Sequence, residues 1–213
     1  MGKSLLLKVC GMINPQNIKE VDNIVNPDFI GMIFYLGSQR YMDKNPDALP
    51  DIKAKKIGVF VNASIETIIK KAREFKFNIV QLHGDETPEF CKELADLGYD
   101  VFKAFRIDDN ISAADIEPYK EMCSTFIFDS RTPKYGGSGK KFNWEKLDEI
   151  AHINKFFLSG GISVDDADEI LKLNYVNLIG VDINSKFETK PGLKDVDLVK
   201  KFKTKITNNV LSA

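Results

Sequence analysis

Leu5-Leu6-Leu7-Lys8-Val9-Cys10-Gly11 is an apolar run that ends on a thiol and a glycine. The pattern returns along the chain. Apolar or β-branched runs stand at 5–10, 29–35, 57–61, 79–83, 101–106, 126–129, 156–160 and 178–182. Strands buried on both faces read as near-continuous hydrophobic runs, as these do. Helix-like stretches fall between them, at 15–24, 64–75, 88–97, 143–150, 164–173 and 196–206. Asn14 before Pro15, Ser64, Thr87 before Pro88, and Ser163 offer N-caps. Ser64 has threonine, not an acid, three positions on, so no capping box is expected there. The second and fifth helices are the least clear, because Pro46, Pro50 and Pro118 interrupt them.

Eight strands alternating with helices imply an α/β protein with a parallel sheet covered by helices. Such a sheet closes into a (β/α)8 TIM barrel or stays open and doubly wound. The count of eight favours the barrel, and 213 residues lies near the short end for it. With 43% hydrophobic residues the chain can fill one sizeable core. No linker or low-complexity tract breaks it, so one catalytic domain over 1–213 is expected. The longest interval between strand ends runs from 129 to 160. Its excess coincides with a glycine-rich segment at 132–140.

Composition narrows the function. A net charge of −1 leaves no broad basic surface, which argues against nucleic acid or an anionic membrane as partner. No run is long enough to span a bilayer, and residues 1–6 lack a signal peptide's apolar stretch. Cys10, Cys91 and Cys123 are odd in number and far apart, with no CxxC. A disulfide framework or structural zinc is therefore not expected, and a cytoplasmic location is.

Barrel enzymes work at the C-terminal ends of their strands. Cys10, His83, Arg106, Asp129, Gly160-Gly161 and Asp182 fall there, and Arg40 follows the second strand. Cys10 could be a small buried hydrophobe. Its strand-end position, the following Gly11 and Lys8 on the same strand face favour chemistry instead. A neighbouring cation is expected to lower its pKa, giving a thiolate base for a proton beside a carbonyl or imine. Asp129 could be a cap. The apolar run before it suggests a desolvated carboxyl, partly protonated and able to act as a general acid.

Gly160-Gly161 and Asn184-Ser185 stand at the barrel's usual phosphate-binding positions, with a plain turn as the alternative. Gly136-Gly137-Ser138-Gly139 has no following Lys-Ser/Thr, so it reads as a cover over a ligand and not as a P-loop. The planar fork of Arg40 suits a carboxylate, and a solvated surface position is the alternative. His83 reads as structural or supporting, and without further ligands at suitable spacing no metal site is expected. Asp182 either pairs with Lys8 inside the barrel or helps position the phosphate loop. Cys91 and Cys123 read as core.

Taken in order, these pieces resemble the phosphoribosylanthranilate isomerases of tryptophan biosynthesis. The resemblance rests on Lys8-Val9-Cys10-Gly11-Met12, Ser38-Gln39-Arg40-Tyr41, Gln81-Leu82-His83-Gly84 and Phe128-Asp129-Ser130. It continues through Gly136-Gly137-Ser138-Gly139-Lys140, Leu158-Ser159-Gly160-Gly161-Ile162 and Gly180-Val181-Asp182, and so spans nearly the whole chain. It implies a cofactor-free Amadori rearrangement of N-(5-phosphoribosyl)anthranilate to 1-(2-carboxyphenylamino)-1-deoxyribulose 5-phosphate. Cys10 matches the family's general base, Asp129 its general acid and Arg40 the holder of the anthranilate carboxylate. Gly137, Gly160, Gly161, Asp182, Asn184 and Ser185 complete the expected substrate contacts. A monomer or a homodimer is expected.

The chain departs from the family after strand eight. There the common pattern is Asp-x-Ser-Ser-Gly-x-Glu, and this chain has Asp182-Ile183-Asn184-Ser185-Lys186-Phe187-Glu188. A glycine-type backbone angle would be costly at Lys186.

Four other readings are weaker. The histidine-pathway isomerase would carry an aspartate where Cys10 stands. Indole-glycerol-phosphate synthase would need a lysine at a strand end, and Lys103 lies mid-strand. A non-catalytic phosphosugar sensor would have no need of both Cys10 and Asp129, and a thiol-redox protein would want a resolving cysteine close by.

Overall fold

Local chemistry starts the helices where the sequence suggests. The Asn14 side chain accepts from Asn17 N at 2.9 Å and Pro15 opens α1 (Pro15–Val25). Ser64 caps α2 (Ile65–Phe75) through Thr67 N, and Thr87 caps α3 (Pro88–Asp96) through Phe90 N. Ser163 instead donates to Asp166 from both its backbone and its hydroxyl, at 2.7 and 2.9 Å. The computed structural model describes residues 4–130 and 141–207.

Eight strands follow in order: β1 (Leu6–Cys10), β2 (Phe29–Ile33), β3 (Lys55–Phe60), β4 (Ile79–Leu82), β5 (Asp100–Ile107), β6 (Thr125–Ser130), β7 (Phe156–Leu158) and β8 (Leu178–Ile183). Each pairs in parallel with the next, and β8 returns to β1 with Lys8 opposite Asp182. That last pairing closes the barrel and eliminates the open sheet. The remaining helices are α4 (Ala113–Ile116), α5 (Leu147–Ile150), α6 (Ala167–Lys172) and α7 (Val196–Thr207). Between β2 and β3 only a 3-10 turn forms, at Pro46–Ala48. The prolines that blurred the second helix are the reason: each lacks an N–H to donate.

Strand alternation sorts the side chains into two layers. Leu5, Leu7 and Val9 face the helices, as do Phe126 and Phe128. Cys10, Phe29, Ile57, Phe102, Ile127 and Phe157 fill the barrel interior. Phe157 meets Phe29 edge-on at 5.7 Å and stacks on Phe102 at 6.2 Å. This aromatic plug leaves the polar interior positions for the C-terminal mouth. One element went unread in the sequence, an antiparallel ribbon of β9 (Glu188–Lys190) and β10 (Leu193–Lys194). Among the described residues, no helix is long and apolar enough to cross a membrane.

Candidate active site

Side chains two residues apart on β1 share a face, so Lys8 and Cys10 both point into the barrel. Lys8 is fully buried and pairs with Asp182 at 2.9 Å. The reading of Asp182 as an internal partner of Lys8 is therefore realised. Burial alone would depress Lys8, but Asp182 and Cys10 beside it raise its pKa, so it stays charged. Cys10 is 5% exposed at the top of the same face, against Gly31. Here the expectation of a lowered thiol pKa is corrected. Burial pushes Cys10 above its ordinary 9.0; the pull of Lys8 and Lys194 only partly opposes it, and Asp182 adds to the rise. The cations are present, but desolvation outweighs them.

Asp129 points inward from the end of β6, three strands from Cys10 by way of β7 and β8. Its surroundings are not the apolar rim inferred from Phe126-Ile127-Phe128. Those phenylalanines face outward, and the carboxyl sits 3.2 Å from His83 Nε2 and accepts from Ser130 N at 2.7 Å. His83, just past β4, contacts Gln81 through Nδ1 at 2.8 Å. Gln81 is buried on the same strand face and orients the imidazole. His83 thus contacts the Asp129 carboxyl directly, and Gln81, quoted from the sequence only within a motif, gave no sign of its bond to the imidazole. Arg106, also at the mouth, bonds Asp85 at 2.6 Å.

Gly160 and Gly161 form a turn after β7 with φ of 91° and 66°. A Cβ on Gly160 would collide with Ser130 Oγ and lie 2.5 Å from Ser130 N and 2.8 Å from Asp129 Oδ1. The bare backbone at 160 is thus what lets the Asp129 carboxyl sit where it does. Gly160→Ala should lower stability by about 1–3 kcal/mol through strain and overlap. That corresponds to a fall of roughly 3–10 °C in Tm for a chain of this size. Calorimetry checks it: an unchanged Tm would mean the turn relaxes freely.

Arg40 closes the other side. Its Nε and Nη2 grip Glu188 bidentately, at 2.9 and 2.7 Å for the shorter contacts. The arginine is therefore not simply a solvated surface group. Gly11, at φ 73°, passes beneath, and a Cβ there would lie 2.6 Å from Arg40 Cδ and 2.8 Å from Asn184 Oδ1. Asn184 Oδ1 is engaged by Lys194 at 2.7 Å. Ser185 opens a 3-10 turn, Ser185–Phe187. Among the described residues, the non-glycine ones with positive φ are Asn26, Asn62 and Lys76, so the strain expected at Lys186 does not arise. Gly137 lies outside the described residues. Glu188 was visible only as a letter in a family pattern, and Lys194 carried no signal beyond a charge in a short strand.

Comparison with known proteins assigns the family. The sequence model of the N-(5'phosphoribosyl)anthranilate (PRA) isomerase family matches residues 7–205. The chain is 41% identical to the N-(5'-phosphoribosyl)anthranilate isomerase of Parabacteroides distasonis over 203 residues, covering 93% of this chain and 91% of that one. It is 34% identical to the enzyme of the same name from Thermoanaerobacter sp. over 205 residues, covering 94% and 97%. The crystal structure of phosphoribosyl anthranilate isomerase from Thermotoga maritima superposes with a TM-score of 0.80 at 30% identity, covering 95% and 98%. Another, solved in complex with reduced 1-(o-carboxyphenylamino)-1-deoxyribulose 5-phosphate, gives 0.76 at 27% identity over the same shares. The similarity spans nearly the whole chain, and the chain belongs to the phosphoribosylanthranilate isomerase family.

Proposed function

We propose that this protein isomerises N-(5'-phosphoribosyl)anthranilate by an Amadori rearrangement in tryptophan biosynthesis, with Asp129 as general acid and Cys10 as general base. The observation that carries the reading is the pair itself: a thiol on β1 and a His83-supported carboxyl on β6 face one barrel mouth in a member of this family. Asp129 protonates the ring oxygen, and the sugar opens to a Schiff base. Cys10, as thiolate, takes the proton from C2 and leaves an enolamine. A proton added at C1 and one lost from the C2 hydroxyl then give the ketone. Protons gained at the ring oxygen and C1 equal those lost from C2 and its hydroxyl, so the reaction is a net isomerisation. It needs no redox partner.

Rate beyond the acid and base comes from anchoring the two anionic ends of the substrate. The Gly160-Gly161 turn and Ser185 take the phosphate, where bare backbone allows close approach. Asn184, held by Lys194, and Asp182, held by Lys8, stiffen the floor beneath it. Arg40 takes the anthranilate carboxylate with the guanidinium face that Glu188 leaves open. The family's biosynthetic role fits work in the cytoplasm, as a monomer or homodimer.

Arg40→Ala should therefore raise KM by about tenfold or more with a smaller change in kcat. Steady-state kinetics decide it, and an unchanged KM would remove the carboxylate role. The activity itself is tested by generating phosphoribosylanthranilate in situ and following loss of its fluorescence without added cofactor. Absence of turnover by the wild-type protein would overturn the reading.

A further inference from the structure

Glu188 binds Arg40, and a carboxylate that occupies an arginine ordinarily cancels it. The array does not stop there. Lys194 Nζ reaches the same carboxylate, 2.6 Å from Oε1, and Asn184 Oδ1 at 2.7 Å. The lysine side chain is wholly buried. Its backbone is clamped to α1 by the amide of Asn17, which accepts from Lys194 N at 2.7 Å and donates to Lys194 O at 3.0 Å. One carboxylate thus stands between two cations, and the array carries a net charge of plus one while Lys194 is protonated. Burial pushes Lys194 down to about 8, with Glu188 opposing, so the protonated form prevails at neutral pH. Burial also works against the charge on Glu188, but Arg40 and Lys194 hold its pKa below the usual carboxylate range.

We propose that Lys194 is a positioning residue for the carboxylate end of the substrate: by neutralising Glu188, it leaves the charge of Arg40 available to an incoming anion. Without Lys194, Arg40 and Glu188 form a neutral pair, and an approaching carboxylate meets the repulsion of Glu188 uncompensated. Three further contacts keep the arrangement in register. Gly192 N donates to Glu188 Oε1 at 3.1 Å, Lys194 also reaches Asn184 O at 3.3 Å, and Arg40 packs over Gly11. The ribbon of β9 and β10 carries both Glu188 and Lys194.

The inference rests on the reading of Arg40 as carboxylate anchor, and its test separates the two. Kinetics are compared for wild type, Lys194→Met, Glu188→Gln and the double variant, with folding of each checked by circular dichroism. Lys194→Met should raise KM about tenfold, more than it lowers kcat. The double variant should recover most of that loss, because removing both charges restores a net plus one. A merely structural lysine would leave the double variant no better than Lys194→Met, and that result overturns the proposal. Glu188→Gln, which retains the lysine, should have a KM no higher than wild type, and a raised KM there also overturns it. The Glu188→Gln arm stands even if Lys194→Met does not fold. Inhibition by reduced 1-(o-carboxyphenylamino)-1-deoxyribulose 5-phosphate should weaken in Lys194→Met, while inhibition by the counterpart lacking the carboxylate should not. Equal weakening of both would assign Lys194 to another part of the ligand. If Arg40→Ala leaves KM unchanged, the anchor reading fails. If Arg40→Ala raises KM and Lys194→Met does not, only the present inference fails.

Discussion

Cys10→Ser is expected to lower kcat by about 10³-fold, in the middle of the range for loss of a general base. A hydroxyl is a far weaker acid than a thiol, so serine offers almost no anion to take the C2 proton. The fold should survive. Serine is nearly the same size, Gly31 leaves room at the position, and Lys8 below can hydrogen-bond a hydroxyl. Burying the hydroxyl costs about 1–3 kcal/mol at most, and thermal unfolding will show it. Cys10→Ala should lose comparable activity, which separates proton transfer from packing. Turnover near wild type in either variant would remove Cys10 as the base.

The thiol of Cys10 also has a pH signature. Because burial places its pKa above 9.0, thiolate is a minor species at neutral pH and grows about tenfold per pH unit below the pKa. Alkylation of wild type by iodoacetamide should therefore accelerate steadily from about pH 6.5 to 8.5. A plateau within that range would mean that Lys8 and Lys194 overcome desolvation.

What could be read from the sequence was what local rules govern. Alternation along β1 puts Lys8 and Cys10 on one face, because side chains two apart in a strand always share a face. Asn14, Ser64 and Thr87 marked helix starts through bonds to backbone three residues on. The cases that failed depend on distant partners. The surroundings of Asp129 were misjudged because Phe126 and Phe128 point to the other layer, while His83 arrives from two strands away. The thiol pKa was misjudged because a cation is visible in sequence and depth of burial is not. Lys103 shows the same limit: its charge is met outside the barrel by Glu86 at 3.1 Å and Gly84 O at 2.8 Å. Arg40 and Glu188 lie 148 residues apart, and no periodicity links them.

Asp129→Asn should also lower kcat, by about 10²–10⁴-fold, but by stopping a different step. Asparagine matches the carboxylate in shape, and its amide can still meet His83, whose tautomer adjusts through Gln81. Ser130 N retains its acceptor in the asparagine carbonyl. Stability should therefore change little, and the loss should fall on proton donation to the ring oxygen. The two variants then part in their isotope effects. With substrate deuterated at C2, Cys10→Ser should show the full effect, since removal of that proton limits the rate. Asp129→Asn should show almost none, because ring opening limits and the C2–H bond is intact when it occurs. An undiminished isotope effect in Asp129→Asn would mean that the carboxyl serves the same step as the thiol. The division of labour between β1 and β6 would then have to be redrawn around His83, which sits beside the carboxyl at the mouth.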